Sequence, residues 1–255
     1  MANLIENELI KLFAKKKLYI FLGIIFAMIL IPGLVFKFSE VAKPVSGQQF
    51  PLEILNSNVE LLLPIFLAIL VADLITEEYR DGTLKLFLVH PVSRSKLLHA
   101  KLITILIAVV ILMAFSLVAS YAMGTILFGW GQGLQFGDAN YQGFQGILVT
   151  AGAHLFSILP LMACALVLLV IALNLTSGGA VVGISIGLIM GLTVLGQISL
   201  AARPYLLTTY FRYYLLFLNQ PGWKELLQGV AAVLLYGGIS YILSLRFFQH
   251  KDLQY

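Results

Sequence analysis

Residues 102–128 read LITILIAVVILMAFSLVASYAMGTILF, with no Asp, Glu, Lys, Arg or His anywhere in the run. A helix rises about 1.5 Å per residue, and about 20 apolar residues cross the hydrocarbon of a bilayer. This stretch spans with residues to spare. Five more apolar stretches lie around it, at 18–36, 59–76, 147–173, 178–200 and 226–246. In lipid only helices and closed barrels satisfy their own backbone groups, and runs this long exclude the short alternating strands of a barrel. The expected fold is all-α and polytopic: six transmembrane helices in a single transmembrane domain covering 1–255.

Composition carries the same message. Of the 255 residues, 60% belong to the AVILMFWYC set and 11% are Asp, Glu, Lys or Arg, against roughly 25% charged in soluble domains. Mean hydropathy is +0.96. A net charge of +4 would suggest nucleic acid in a soluble protein. Here the basic residues lie between apolar runs and read as topology determinants, so no nucleic-acid partner is expected. With the N-terminus inside, the cytoplasmic side receives Lys11, Lys15, Lys16, Lys17, Arg80, Lys85, Arg94, Lys96, Lys101, Arg246 and Lys251. The outside receives only Lys37, Lys43, Arg203, Arg212 and Lys224. Both termini are therefore expected in the cytoplasm. The lone Cys164 has no partner for an intrachain disulfide. The run 18–36 exceeds the roughly 7–15 residues of a leader's apolar core, and is expected to remain as the first span.

Ahead of that span, Leu4, Ile5, Leu9, Leu12 and Phe13 recur at helical spacing, with Glu6, Asn7, Glu8, Lys11 and Lys15 around the rest of the helix. Residues 1–17 thus read as an amphipathic helix on the membrane surface, Lys15–Lys17 meeting anionic lipid headgroups. Pro32, Pro64 and Pro160 fall inside spans and are expected to kink them. Residues 37–58 and the Gly-rich 129–146 are expected as external loops, and 174–177 as a tight turn.

Segment 77–101 is the most specific signal. Gly82 breaks the helix leaving span two, and Asp81 or Thr83 can cap a new one. Leu84, Leu86, Phe87 and Leu88 form an apolar unit too short to span. Pro91 disfavours helix at His90, and Ser93 is placed to cap span three. A short greasy helix framed by charges suits docking into a groove on a soluble partner. Asp73, Glu77 and Glu78 oppose the dipole at a helix C-terminus, which calls for compensation by Arg80, Lys85 or a partner.

The run Glu78-x3-Gly82-Thr83-Leu84-x4-Val89-x-Pro91-Val92-Ser93-Arg94-x2-Leu97-x3-Lys101 resembles the signature of ABC-2-type transporter permeases, the membrane subunits of bacterial exporters driven by ATP-binding cassettes. The six-span layout, the amphipathic start and the length extend the resemblance along the chain. It implies that 1–17 is a connecting helix and that 77–101 is a cytoplasmic coupling segment. Glu77, Glu78, Arg80, Gly82, Thr83, Leu84, Leu86, Phe87, Leu88, Pro91 and Arg94 would then meet a separate P-loop ATPase, present in two copies. ATP and Mg would sit on that ATPase, none being bound by this chain. The resemblance further implies a second permease chain, identical or related, and a bacterial plasma membrane.

Two other features fit. Gly179, Gly183, Gly187 and Gly191 fall on one face of span five at small-xxx-small spacing, which lets helices approach closely in lipid. Since spans one and five of such permeases commonly lie near the subunit interface, the stripe is expected to meet the second permease or line the path between the two. Residues 201–225 are external yet aromatic, and read as a re-entrant hairpin broken near 219–222. There Tyr205, Tyr210, Arg212, Tyr213 and Pro221 are expected to form an external gate. His154 and Glu60 are expected at the interface near span ends.

The sequence has no G-x-x-x-x-G-K-[ST] phosphate loop, so this chain is not expected to be the ATPase, nor an enzyme by itself. No metal-ligand spacing and no nucleophile–base arrangement stands out. The leading expectation is an exporter permease for an antimicrobial peptide, hydrophobic drug, lipid or ion. The alternative is an ATP-independent secondary transporter or channel, which would favour ionisable groups at mid-membrane and an inverted repeat. A membrane-embedded enzyme is disfavoured because catalytic groups do not cluster.

Overall fold

The computed structural model describes residues 1–38, 46–77, 93–137, 139–218 and 223–250. Helix α1 (Ala2–Ala14) lies ahead of α2 (Lys16–Phe38), the first span. Span two, Phe50–Thr76, begins well before the apolar run that marks it. Its regular parts are α3 (Phe50–Ser57) and α4 (Leu63–Ala72), and each is followed by a π-helical turn, Asn58–Leu62 and Asp73–Glu77. Pro64 explains the first of these. It has no N–H to give Glu60, and its ring crowds that carbonyl. The helix widens just before it, so that Leu63 N–H bonds Asn58 O, five residues back.

Spans three, four and five are α5 (Arg94–Phe128), α6 (Phe144–Asn174) and α7 (Gly178–Ile198). Strands β1 (Leu134–Phe136) and β2 (Ala139–Tyr141) pair antiparallel within the expected 129–146 loop, Leu134 opposite Tyr141. Alternation over three residues is too short to signal a strand in sequence. After α7 come two short 3-10 turns, Arg203–Tyr205 and Leu207–Arg212, then α8 (Tyr213–Leu218). Helix α9 (Trp223–His250) contains span six. Among the described residues, then, six helices are long and apolar enough to cross a membrane.

Span two is the hub. It touches spans three, four and five, while span one lies along span three and span six along span four. Two thirds (67%) of its apolar window is buried, against 17% for spans five and six. Phe66 stacks on Phe21 of span one with ring centroids 4.2 Å apart. Ile25, Ile29, Leu63, Ala68 and Val71 are fully enclosed around that contact. Burying such side chains is worth about 1.5–3 kcal/mol each in water. In lipid that drive disappears between helices, and close packing and polar contacts hold the spans together instead.

Among the described residues, the glycine stripe has almost nothing packed against it. Gly179, Gly183, Gly187 and Gly191 are all exposed. A Cβ at Gly183, Gly187 or Gly191 would meet no atom within 4 Å, and one at Gly179 only Ser177 Oγ.

Candidate functional site

Both ends of span two carry an acid paired to a neighbouring element. The C-terminal end of span two lies at the face of the bundle that carries α1 and the last turn of span six, called the terminal face below. There Asp73, in the second π turn, accepts from Lys17 Nζ at 2.7 Å. Lys17 starts span one, so this contact fixes the entry of span one against the exit of span two.

A second pair stands beside it. Glu8 of α1 and Lys101 of span three meet at 3.0 Å, and each side chain is 1% exposed. Lys11 adds a 2.8 Å contact to the other Glu8 oxygen. Burial pushes the Glu8 carboxyl up, but Lys101 and Lys11 outweigh it and hold the group below the usual carboxylate value. This corrects the sequence reading of α1, which placed Glu8 on the solvated face. The buried face of α1 is Glu8 with Leu12, while Ile10 and Phe13 stay exposed. The reason is tertiary: a lysine enclosed between helices needs a carboxylate, and α1 supplies it.

Arg94 is the one expected coupling residue whose side chain is described. Its guanidinium donates to the carbonyls of Gln249 (2.9 Å) and Phe248 (3.5 Å), the last turn of span six. A cation there satisfies orphan carbonyls and complements the helix dipole. Five positions further on, His99 meets the Tyr241 hydroxyl at 2.6 Å. Glu77 closes the second π turn. Glu78, Arg80, Gly82, Thr83, Leu84, Leu86, Phe87, Leu88 and Pro91 lie outside the described residues. Ser93 does occupy the N-cap of span three, but its hydroxyl makes no capping bond.

At the opposite face Glu60, in the first π turn, forms an ion pair with Arg212; both side chains are about 40% exposed. Arg212 belongs to the segment between spans five and six, and that segment folds back into the bundle. Tyr236, halfway along α9, donates to Tyr205 O at 2.6 Å. Tyr213 donates to Leu226 O, near the start of the same helix, at 2.7 Å. The chain thus re-enters beside the middle of span six and climbs back out along it. Gly229 makes room: a Cβ there would sit 2.4 Å from the Tyr213 ring. Tyr210 and Tyr213 are buried, Tyr205 is 73% exposed, and Pro221 lies outside the described residues. Sequence reasoning missed Tyr214, buried beside them and donating to Asn56 Oδ1 of α3 at 3.1 Å. Its aromatic neighbours gave no hint of that partner.

His154, expected at the interface near a span end, is enclosed by protein. It is 3% exposed, with Nδ1 2.9 Å from Thr150 O. Thr150 and Ser157 of the same helix are buried too, as are Asn58 and Ser116, where Asn58 donates to Ser116 Oγ at 2.9 Å.

Polar cavities flank span two where it meets span five. One of about 600 Å³ at the terminal face is lined by Lys17, Asp73, Thr76, Ser177 and Gly179. The other, about 450 Å³ at the opposite face, is lined by Glu60, Gln197, Arg203, Thr208 and Arg212 among others.

Six helices long and apolar enough to span, packed around a central one, define a multi-pass membrane protein. Its family follows from comparison with known proteins. Residues 4–195 match the family described as ABC-2 family transporter protein, and the chain belongs to that family. That family is one of membrane components of ATP-binding cassette transport systems, distinct from their ATPases. The chain is also similar to the uncharacterized protein YhcI of Bacillus subtilis (strain 168), 33% identical over 76 residues. That match covers 30% of this chain and 24% of the relative.

Proposed function

We propose that this chain is the permease subunit of an exporter, driven by two copies of a separate cytoplasmic P-loop ATPase that bind ATP and Mg. It works beside a second permease chain in a bacterial plasma membrane with both its termini inside, the side favoured by its Lys and Arg distribution. One observation carries the reading: residues 78–92 are bracketed by ion pairs. Asp73 before them is tied to span one, and Lys101 after them to α1. A push on that segment would reach α1 and spans one to three together. Span two would pass it to the Glu60–Arg212 contact at the opposite face, where Tyr205, Tyr210, Arg212, Tyr213 and Pro221 form the gate. The open face of span five, with Gly179, Gly183, Gly187 and Gly191, suits contact with the second permease chain or the path between the two.

The test is co-expression with the P-loop ATPase encoded nearest to it. Glu78→Lys, or deletion of Leu84–Leu88, should abolish ATPase assembly or transport while membrane insertion stays normal. Unchanged transport-coupled ATP hydrolysis in both variants would refute the docking role.

A further inference from the structure

The cavity at the opposite face is unusual in its lining. Span two contributes Glu60 and Leu61, and the re-entrant segment contributes Arg203, Thr208, Thr209 and Arg212. Span five supplies Met190 and Gln197, and the turn after it Leu200. Two guanidinium groups face one carboxylate, leaving one positive charge in excess. The Thr209 hydroxyl is spent on Arg203 O (2.7 Å) and that of Thr193, also in the wall, on Ile189 O (2.8 Å). The guanidinium groups, the Gln197 amide and the Thr208 hydroxyl supply a donor-rich set. Guanidinium forks match the geometry of phosphate and carboxylate.

The rest of the lining is apolar and open. Leu61 and Met190 are each 43% exposed and Leu200 is 76% exposed. At 3.6 residues per turn, Met190 and Gln197 fall on the same side of span five as Gly179 and Gly183. The cavity therefore runs into the uncovered glycine face. Ionisable groups beside a span mark ligand pathways when they converge on a cavity.

We propose that this cavity binds the anionic head of an amphiphile, a phosphate or carboxylate held by Arg203 and Arg212, with its chain laid along Leu61, Met190 and Leu200. Glu60 acts as the internal competitor: it holds Arg212 when the site is empty and yields it when the head arrives. Calling the ligand cargo rests on the export reading; binding itself does not, and is measured on this chain without any ATPase.

The full chain in phosphatidylcholine nanodiscs is titrated with dodecyl phosphate and, separately, dodecyltrimethylammonium. Dodecyl phosphate should bind saturably, and Arg203→Gln with Arg212→Gln should weaken it at least tenfold. Glu60→Gln should tighten it several-fold, a gain that a misfolded variant cannot produce. Lys224→Gln, on an exposed residue outside the cavity, should change nothing. Adding phosphatidylglycerol to the discs separates the sources: displacement identifies the head as that of a bilayer lipid, and no displacement as that of a transported amphiphile. Equal binding of the cation, or undiminished phosphate binding in the double arginine variant, overturns the proposal. Failure of ATPase coupling in the preceding test leaves this result unaffected.

Discussion

The two faces of the bundle use the same device in opposite surroundings. At the terminal face Glu8 and Lys101 are sealed at 1% exposure each, beside the Lys17–Asp73 contact. At the opposite face Glu60 and Arg212 are both about 40% exposed. A sealed pair is costly to break, because removing one partner strands a charge in a low-dielectric interior. An open pair is screened by water and exchanges partners cheaply. One face is therefore a joint and the other a latch, although both are drawn as a carboxylate facing a cation.

The largest effect expected from this contrast is at Lys101. Lys101→Met should cost about 3 kcal/mol of stability, the low end for a broken buried pair because Lys11 still faces Glu8, read as a loss of thermal stability in detergent. Glu8→Gln with Lys101→Met should recover most of it. If the single and double variants are equally unstable, the pair is not a joint. Next comes pH. The Glu8 carboxyl is held below its usual value of 4.5, so its contribution is complete above that value and is lost as pH falls through the lowered folded one. Melting curves below about pH 4.5 should therefore drop more steeply for the native chain than for Glu8→Gln. Parallel curves would show that Glu8 carries no such linkage.

The latch should behave differently. Arg212→Gln should change stability by no more than about 1 kcal/mol, while altering transport rate in the assembled system. A stability loss as large as that of Lys101→Met would erase the distinction between the faces. Smallest for the isolated chain is Gly187→Leu, since nothing lies within 4 Å of a Cβ there. It should leave the thermal stability of the single chain unchanged and reduce association between permease chains in cross-linking. Unaltered cross-linking would remove span five from that interface.

The spans were legible because lipid forces long uncharged runs, and 102–128 announces itself. What sequence left hidden depends on partners brought from afar. Glu8 reads as a surface acid until Lys101, far along the chain, is packed against it. Arg94 reads as part of a docking motif, yet its guanidinium caps the last turn of span six. His154 reads as a group near a span end, yet the fold buries it. Span two started early because its first turns, Phe50–Leu55, carry Glu53, which broke the apolar run without breaking the helix. Pro64 was the one local clue to the first π turn, since the carbonyl and N–H it displaces need some other accommodation.

Each π turn holds one residue more than a regular helix needs. Span two consequently carries slack at both ends of its rigid middle, Leu63–Ala72. Removing one residue from Asn58–Leu62 should simply tighten the coil and leave that middle in place. The same deletion inside Leu63–Ala72 swings everything beyond it by about 100° and draws it in by about 1.5 Å, carrying Asp73 away from Lys17. The rod tolerates shortening at its sleeves and nowhere else.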